Sequence, residues 1–355
     1  MLIILTIPFG HFRFLRCQWY LFEWKQRGFI MEEDQGLDPY KHLKIAPNHD
    51  GTITRLRVDP PTSPASDPNL PISVLTKDII IIPEFNVSAR IFVPRKALDN
   101  SSPKLPLILY FHGGGFILFS AASSMFHDFC INMANDVQAI VLSLDYRLAP
   151  DHRLPAAYDD AMQALHWIQT NHDDWLGKYA DLSSSYLMGS SSGANIAYHA
   201  GLRVVAESEG YDEPLKIRGL ILVQPFVGGM ERRGSELRLV NDPVLPLCVT
   251  DLMWELSLPV GSNRDHEYCN PMAGRDDEEK KKKMQKMRVL GWRVMVIGCE
   301  GDPLVDRQKE MVTWMEENGV KVEVSFEDGY NHGAELRNAL KQKELFSKTK
   351  TFVGS

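Results

Sequence analysis

Short, solidly apolar runs alternate with stretches of helical periodicity along most of this chain, and this alternation constrains the fold more than any other feature. A run that is apolar at every position is typical of a strand buried on both faces, as in a parallel sheet covered by helices. The apolar runs are 105–111, 139–144, 186–188, 220–223 and 292–297. The helical stretches include 157–170, 194–205 and 303–318. The pattern predicts an α/β fold in which helices flank a mostly parallel sheet.

The sequence also predicts an antiparallel edge pair, a last strand followed by a helix, and an insertion in the sheet. Residues 78–82 and 88–92 alternate apolar and polar side chains, which indicates an antiparallel pair at one edge of the sheet. A strand at 321–326 precedes a loop and a helix that starts at about Ala334. Between Pro225 and Gly291 no clear strand appears. An insertion of this kind in an open α/β sheet covers the site at the carboxyl ends of the strands, so we interpret it as part of a cap.

The motif Gly189-Ser190-Ser191-Ser192-Gly193 lies between an apolar strand and a helical stretch. A G-x-S-x-G motif in this setting predicts a sharp strand–turn–helix elbow that lifts the serine above the sheet. Only glycines clear the neighbouring strand and helix in such a turn. We therefore expect Ser191 to be a nucleophile in acyl transfer.

A second motif, His112-Gly113-Gly114-Gly115, directly follows the run 105–111. Acyl transfer builds negative charge on the former carbonyl oxygen, and backbone N–H groups of a glycine loop can approach that oxygen closely. We predict an oxyanion hole formed by the amides of Gly113, Gly114 and Ser192. The alternative, a phosphate-binding loop, would require a G-K-[ST] or G-x-G-x-x-G pattern, which this stretch lacks.

Asp302 and His332 are the predicted acid and base. Asp302 follows the run 292–297, and His332 follows the last strand on a glycine-flanked loop. An N-cap role before Pro303 is the alternative for Asp302. Glu300 and Asp306 are the rival acids.

Three aromatic residues are predicted to line a substrate pocket, and a plain core role is the alternative for each. They are Phe116, Phe226 and Trp254.

These motifs together resemble the plant carboxylesterases of the hormone-sensitive-lipase-like branch of the α/β hydrolases, and the likeness runs from about Met31 to the C-terminus. The stretches 145–150 and 152–160 and the pair Asn270-Pro271 carry the likeness beyond the triad. The order Ser191, Asp302, His332 is also that of the α/β hydrolases. Within the stretch 145–160 we expect Arg147 to pair with Asp159 or Asp160.

The resemblance implies an α/β-hydrolase fold with an eight-stranded, mostly parallel sheet and a mainly helical cap. The cap would consist of the N-terminal segment at about 31–60 and the insertion at about 226–290. The implied activity is hydrolysis of small carboxylic esters through an acyl-enzyme on Ser191, in the cytoplasm and without a metal or organic cofactor. A small-molecule ester is the expected partner, and the oligomeric state is left open.

The sequence departs from the commonest family pattern at two positions, and two other functions compete. Ser190 stands where Asp is frequent, and Ala334 stands where Phe is usual, so the pocket can differ while the catalytic groups remain. The first alternative is a non-catalytic small-molecule receptor on the same fold, but His332 is present where such receptors have an incomplete triad. The second is an esterase-derived enzyme of specialised metabolism that performs acyl transfer, lactonisation or elimination. Ser191 argues against the relatives that eliminate with Thr at this position.

Composition and the N-terminus narrow the class of protein. The net charge of −7 carries no basic concentration, so we expect no nucleic-acid partner. The five cysteines form no C-x-x-C pair, which favours reduced thiols over a disulfide framework or zinc site. No apolar run reaches the roughly 18 to 20 residues that a membrane span needs.

Residues 1–30 place basic residues after an apolar start, which is the reverse of a secretory signal. We therefore expect these residues to be an extension that precedes a single domain at 31–355.

Overall fold

The computed structural model describes residues 37–57, 59–99, 101–170, 173–207 and 214–354. The chain divides after Asp38 into two units, and the larger one starts at Pro39. The predicted extension at 1–30 lies outside the described residues.

An eight-stranded sheet forms the centre of the larger unit, in the order β10-β9-β8-β7-β5-β6-β4-β3. From β10 to β6 each strand runs parallel to its neighbour, while β4 is antiparallel to both β6 and β3. A small antiparallel pair, β1 with β2, lies outside it. The strands are β1 Ile45–Pro47, β2 Ile53–Arg55, β3 Val74–Ile82, β4 Val87–Pro94, β5 Leu105–Phe111, β6 Ile140–Asp145, β7 Ala180–Ser190, β8 Ile217–Val223, β9 Arg293–Cys299 and β10 Lys321–Glu327. The predicted fold class is confirmed.

Helices cover both faces of this sheet. They are α1 Pro39–Leu43, α2 Ser124–Met133, α3 Ala156–Thr170, α4 Asp174–Tyr179, α5 Ser192–Ala206, α6 Gly234–Arg238, α7 Leu247–Ser257, α8 Glu278–Val289, α9 Val305–Glu317 and α10 Ala339–Val353. Short helical turns also occur at Pro83–Phe85, Arg95–Leu98, Ala134–Gln138 and Ala334–Leu336. None of the helices in the described part of the chain has the length and apolar character that a membrane crossing requires.

Strand β5 shows how the solid apolar runs produce two cores. Successive side chains of a strand point to opposite faces. Leu107 and Leu109 therefore join the larger core, with α3 and α5, while Ile108 and Tyr110 join the smaller core, with α2 and α10. A strand between two cores needs apolar residues at every position, which is the pattern in the sequence.

The predicted insertion at 226–290 contains α6, α7 and α8, and these helices have different neighbours. Helix α7 packs against α1, so the N-terminal segment and the insertion meet. Helix α8 instead packs against α5, and its Met284 and Met287 belong to the larger core. The boundaries of the cap stay a prediction.

Candidate active site

Ser191 occupies the turn between β7 and α5 with φ 56° and ψ −118°, a backbone conformation that is unfavourable for a residue with a side chain. Such strain costs of order 1–3 kcal/mol and persists only where the surroundings hold it. The Ser191 N–H donates to the Val223 carbonyl at 2.8 Å, and the Ser191 carbonyl accepts from Phe226 N–H at 3.0 Å. The backbone on either side of the elbow is thus hydrogen-bonded to β8 and the residues that follow it.

The two glycines of the elbow are required by close backbone contacts. A Cβ on Gly189 would lie 2.1 Å from Gly193 C and O, and a Cβ on Gly193 would lie 1.9 Å from the Phe111 carbonyl oxygen. These obstacles are backbone atoms, which cannot rotate away. The prediction that only glycine fits at both positions is confirmed.

His332 connects Ser191 and Asp302. Its Nδ1 lies 2.8 Å from Asp302 Oδ2, and its Nε2 lies 2.8 Å from Ser191 Oγ. Because a carboxylate only accepts, Nδ1 carries the proton, which leaves the Nε2 lone pair for the serine hydroxyl. The side chains of Asp302 and His332 are buried. The geometry allows proton transfer from the serine to the imidazole.

Asp302 is not the N-cap of α9, which is Leu304, but it does bond to the start of this helix. Its Oδ1 accepts the Leu304 N–H at 2.9 Å, while Oδ2 accepts from Gln308 Nε2 at 2.9 Å. The carboxylate is therefore fixed by the start of α9 as well as by His332. The rival acids bond elsewhere: Glu300 pairs with Lys309 at 2.6 Å, and Asp306 accepts from Ser235 N–H at 2.7 Å.

The pKa of His332 lies above its usual value. Burial acts to lower this pKa, but the adjacent Asp302 carboxylate stabilises the imidazolium and outweighs burial, with smaller help from Glu335 and Asp242. A base with a raised pKa holds a transferred proton more readily.

The glycine loop lies against the elbow. A Cβ on Gly113 would lie 3.4 Å from Ser191 Cβ, so this residue directly borders the nucleophile. Throughout the described ranges, the N–H groups of Gly113 and Gly114 donate to no protein acceptor. The Ser192 N–H, in the first turn of α5, has no partner within the helix. These three amides are available to an oxyanion.

His112 orients this loop. Its Nδ1 lies 2.8 Å from the Gly113 carbonyl oxygen, and the Tyr146 hydroxyl donates to the His112 carbonyl at 2.8 Å. Burial lowers the pKa of His112 to about 4, so the ring is neutral near pH 7. Because the trans peptide sets C=O and N–H in opposite directions, fixing the Gly113 carbonyl also fixes the Gly114 N–H.

A cavity of about 220 Å³ opens above Ser191 and His332. Its apolar wall comes from distant parts of the chain, including Leu43, Phe119 and Met253, and its charged groups are Arg57, Glu335 and Arg337. Such a cavity suits a small, largely apolar molecule. Within the described residues, no group of three or more His, Cys, Asp or Glu side chains is arranged to hold a metal ion.

Comparisons with known proteins agree with this geometry. The family model described as the alpha/beta hydrolase fold matches residues 108–336. Carboxylesterase 20 of Arabidopsis thaliana is 49% identical over 322 residues, which cover 90% of this chain and 97% of that protein. The 3-O-acetylpapaveroxine carboxylesterase CXE1 of Papaver somniferum is 45% identical over 326 residues, covering 89% of this chain and 97% of its own length.

The chain belongs to the plant carboxylesterases of the α/β-hydrolase fold. The fold also matches solved structures. The esterase of Pyrobaculum calidifontis aligns with a TM-score of 0.65 and 24% identity, over 81% of this chain and 86% of that one. The family and the enzyme class expected from the sequence are confirmed.

The three aromatic residues predicted to line the pocket of this carboxylesterase do not lie at the cavity, and the prediction is corrected. Phe116, Phe226 and Trp254 are fully buried and pack on one another, with the Phe226 and Trp254 rings stacked at 4.7 Å. None of them is among the residues that line the cavity. The three side chains therefore have the core role that was the alternative to pocket lining.

Arg147 forms the expected ion pair with Asp160, one of its two predicted partners. Arg147 binds the buried Asp160, with Nη2 at 2.6 Å from Oδ1, whereas Asp159 pairs with Arg203 at 2.5 Å. Arg55 also reaches this part of the chain, donating to the carbonyls of Ile117 and Ala149. The Ala149 N–H donates in turn to the Phe116 carbonyl at 2.9 Å, so this segment is bonded to the residue that follows the glycine loop.

Sequence reasoning missed Met253, Glu335 and Gln224. Met253 and Glu335 line the cavity, and no local pattern distinguishes them. Gln224 contacts the loop of His332, as described below. A signal for it existed, since it directly follows the apolar run of β8, at the edge where parallel strands place functional residues.

Proposed function

We propose that this carboxylesterase acts through an acyl-enzyme on Ser191, with His332 as the base and Asp302 as the residue that orients it. The proposal is carried by the continuous contact from Asp302 through His332 to Ser191, at 2.8 Å for each step. The same constellation recurs on unrelated folds in enzymes that activate a serine for acyl transfer.

In the first half-reaction, Ser191 Oγ attacks the ester carbonyl while His332 Nε2 takes its proton. The carbonyl oxygen becomes negative and receives hydrogen bonds from the amides of Gly113, Gly114 and Ser192. Asp302 stabilises the imidazolium that forms. The alcohol leaves with the proton from His332, and the acyl group remains on Ser191.

In the second half-reaction, His332 removes a proton from water, which attacks the acyl-enzyme. The same three amides stabilise the second oxyanion. The carboxylic acid departs as Ser191 regains its proton from His332. All groups then have their starting protonation.

We place the acyl group of the substrate in the cavity whose apolar wall includes Leu43, Phe119 and Met253. The volume of about 220 Å³ favours short acyl chains over long ones. The similar protein of Papaver somniferum is named for an acetyl ester, which agrees with a short acyl group. We propose that residues near 31–60 and 226–290 form a cap over this cavity.

We also propose that the enzyme works in the cytoplasm. The four cysteines within the described residues, Cys130, Cys248, Cys269 and Cys299, are free thiols, as expected in a reducing compartment.

The test is a series of p-nitrophenyl esters, from acetate to octanoate, with the Ser191→Ala variant and a Ser184→Ala control. Ser184 lies on the same strand at the end remote from the site. We expect the first variant to lose several orders of magnitude in kcat, because the triad acts as a unit. We expect the control to match the wild type. Equal turnover by Ser191→Ala and wild type would overturn the proposal, and the chain-length profile measures the acyl pocket.

A further inference from the structure

Gln224 directly follows β8 and is buried, with a φ of +45° that residues with a side chain rarely adopt. Its backbone N–H donates to the Ile297 carbonyl of β9 at 2.6 Å. This unusual conformation turns the side chain out of the strand direction and toward the loop that carries His332.

The side-chain amide of Gln224 contacts both neighbours of His332. Its Oε1 accepts the Gly333 N–H at 2.6 Å, and its Nε2 faces the Asn331 carbonyl at 3.5 Å and Cys299 Sγ at 2.9 Å. The partners define the orientation of the amide, because a flipped amide would set two donors against each other at Gly333. One planar group thus spans the residue before and the residue after the base.

The backbone around Gln224 holds the nucleophile. Val223 accepts the Ser191 N–H at 2.8 Å, and the Phe226 N–H donates to the Ser191 carbonyl at 3.0 Å. The segment 223–226 therefore bonds the elbow through the backbone of Val223 and Phe226, and the loop of the base through the Gln224 side chain.

We propose that Gln224 is a positioning residue for His332, setting the base at its working distance from Ser191. The inference rests on the proposed role of His332 as the base. Gln224 does not touch the reacting atoms, and it acts through the loop 331–333. Misplacement of a catalytic group by about 1 Å costs on the order of 100-fold in rate.

The experiment compares Gln224→Met and Gln224→Glu with Gln138→Met as a matched control. Gln138 also has a positive φ, 61°, and its Nε2 also bonds a backbone carbonyl, that of Asn135. It precedes β6, at the edge of the sheet remote from the site. The control thus reproduces the loss of a backbone-bonded amide at a strained position without any contact to the base.

The decisive readout is the acylation rate. It is measured from the rate of the p-nitrophenolate burst, and the amplitude of the burst gives the concentration of active sites. We expect Gln224→Met to lower acylation and kcat by about 10- to 100-fold while KM changes little. Gln224→Glu keeps the acceptor for the Gly333 N–H and should recover part of the rate, measured above the acid limb of the pH profile. The control should acylate at the wild-type rate.

A purely structural role predicts a different outcome, in which Gln224→Met and the control lose similar thermal stability and both acylate normally. That result would overturn the inference. If Gln224→Met does not fold, Gln224→Glu decides: acylation below the wild-type rate at a pH above the acid limb would support the inference, and acylation at the wild-type rate there would overturn it. His332→Ala separates the two proposals: its activity at the wild-type level would defeat the proposed function, whereas its inactivity beside a fully active Gln224→Met would defeat only this inference.

Discussion

The catalytic floor of the cavity comes from the ends of adjacent parallel strands, whereas its outer wall comes from two segments far apart in the sequence. The floor consists of Gly113–Gly115 after β5, Ser191 after β7, Asp302 after β9 and His332 after β10. The outer wall includes His42, Leu43 and Arg57 from the N-terminal side and Val244, Leu245 and Met253 from the insertion.

The two regions differ in what holds them. The floor is built on backbone contacts, such as that of Gly193 with Phe111, where an added Cβ would lie 1.9 Å from the carbonyl oxygen. The wall is built from side chains, such as the His42 ring whose Nε2 lies 3.4 Å from the Val244 carbonyl oxygen. Backbone contacts leave no room for substitution, while side chains can repack. Chemistry should therefore be sensitive to the floor and substrate range to the wall.

The largest effect should come from the floor, at Asp302. We expect Asp302→Asn to lower kcat by about ten-thousand-fold, the loss known when the orienting carboxylate of a serine triad becomes an amide. The amide can donate to Nδ1 and thus favour the wrong tautomer of His332. Steady-state kinetics measure this, with Asp306→Asn as the control for a neighbouring carboxylate that does not contact the base. A loss of less than tenfold in Asp302→Asn would contradict the assigned geometry.

An intermediate effect should appear where floor and wall touch, at Gly115. This residue has φ +61°, and an added Cβ would lie 2.3 Å from Met253 Sδ. We expect Gly115→Ala to lower kcat for the acetate ester by about 10- to 100-fold, because the shifted loop misplaces the oxyanion amides. Adding Met253→Ala should restore part of the rate, since the obstacle is the end of a flexible side chain.

Gly261→Ala is the control for Gly115→Ala, because Gly261 has φ +88° with nothing within 4 Å of an added Cβ. Gly261→Ala has the cost of a side chain at positive φ, roughly 1–2 kcal/mol, but lacks the contact that Gly115→Ala makes with Met253. Met253→Ala alone should extend the profile toward longer acyl chains with little change for acetate. A double variant no faster than Gly115→Ala would show that floor and wall are not coupled at this contact.

The smallest effect should be a shift in pH dependence from Glu335, which lies in the cavity beside the base. The active form has neutral His332, whose pKa is raised, so kcat/KM is full above that pKa and falls as the pH decreases through it. Glu335 contributes to the raised pKa by its negative charge. We expect Glu335→Gln to move the acid limb to lower pH by less than about one unit.

The shift is limited because burial raises the pKa of Glu335 itself and so disfavours its charged form. Glu344→Gln, at a half-exposed carboxylate paired with Lys341, is the control. An unchanged acid limb in Glu335→Gln, or an equal shift in both variants, would show that the charge of Glu335 does not contribute to the pKa of His332.

Much of the fold was predictable because its signals are local. Solid apolar runs predicted the central strands, since a strand between two cores needs apolar residues on both faces. Helix α2 was missed, although Phe126, Phe129, Cys130 and Met133 follow helical spacing. The segments of the wall gave no such signal, because α1 has only five residues and packs against α7, which is distant in the sequence.

The sequence by itself determined which residues meet in the floor: Ser191 at the elbow, the glycine loop, and the proposed acid and base, Asp302 and then His332. It could do so because parallel strands bring their carboxyl ends to one edge, and because glycine clearances are local properties of the turn.

Only the tertiary structure decided what surrounds these residues. Phe116, Phe226 and Trp254 pack on one another instead of lining the cavity, Met253 reaches Gly115 from the insertion, and Gln224 spans the loop of the base. The physical reason is that side-chain packing depends on which distant segments meet, and residue type and spacing along the chain do not contain that information.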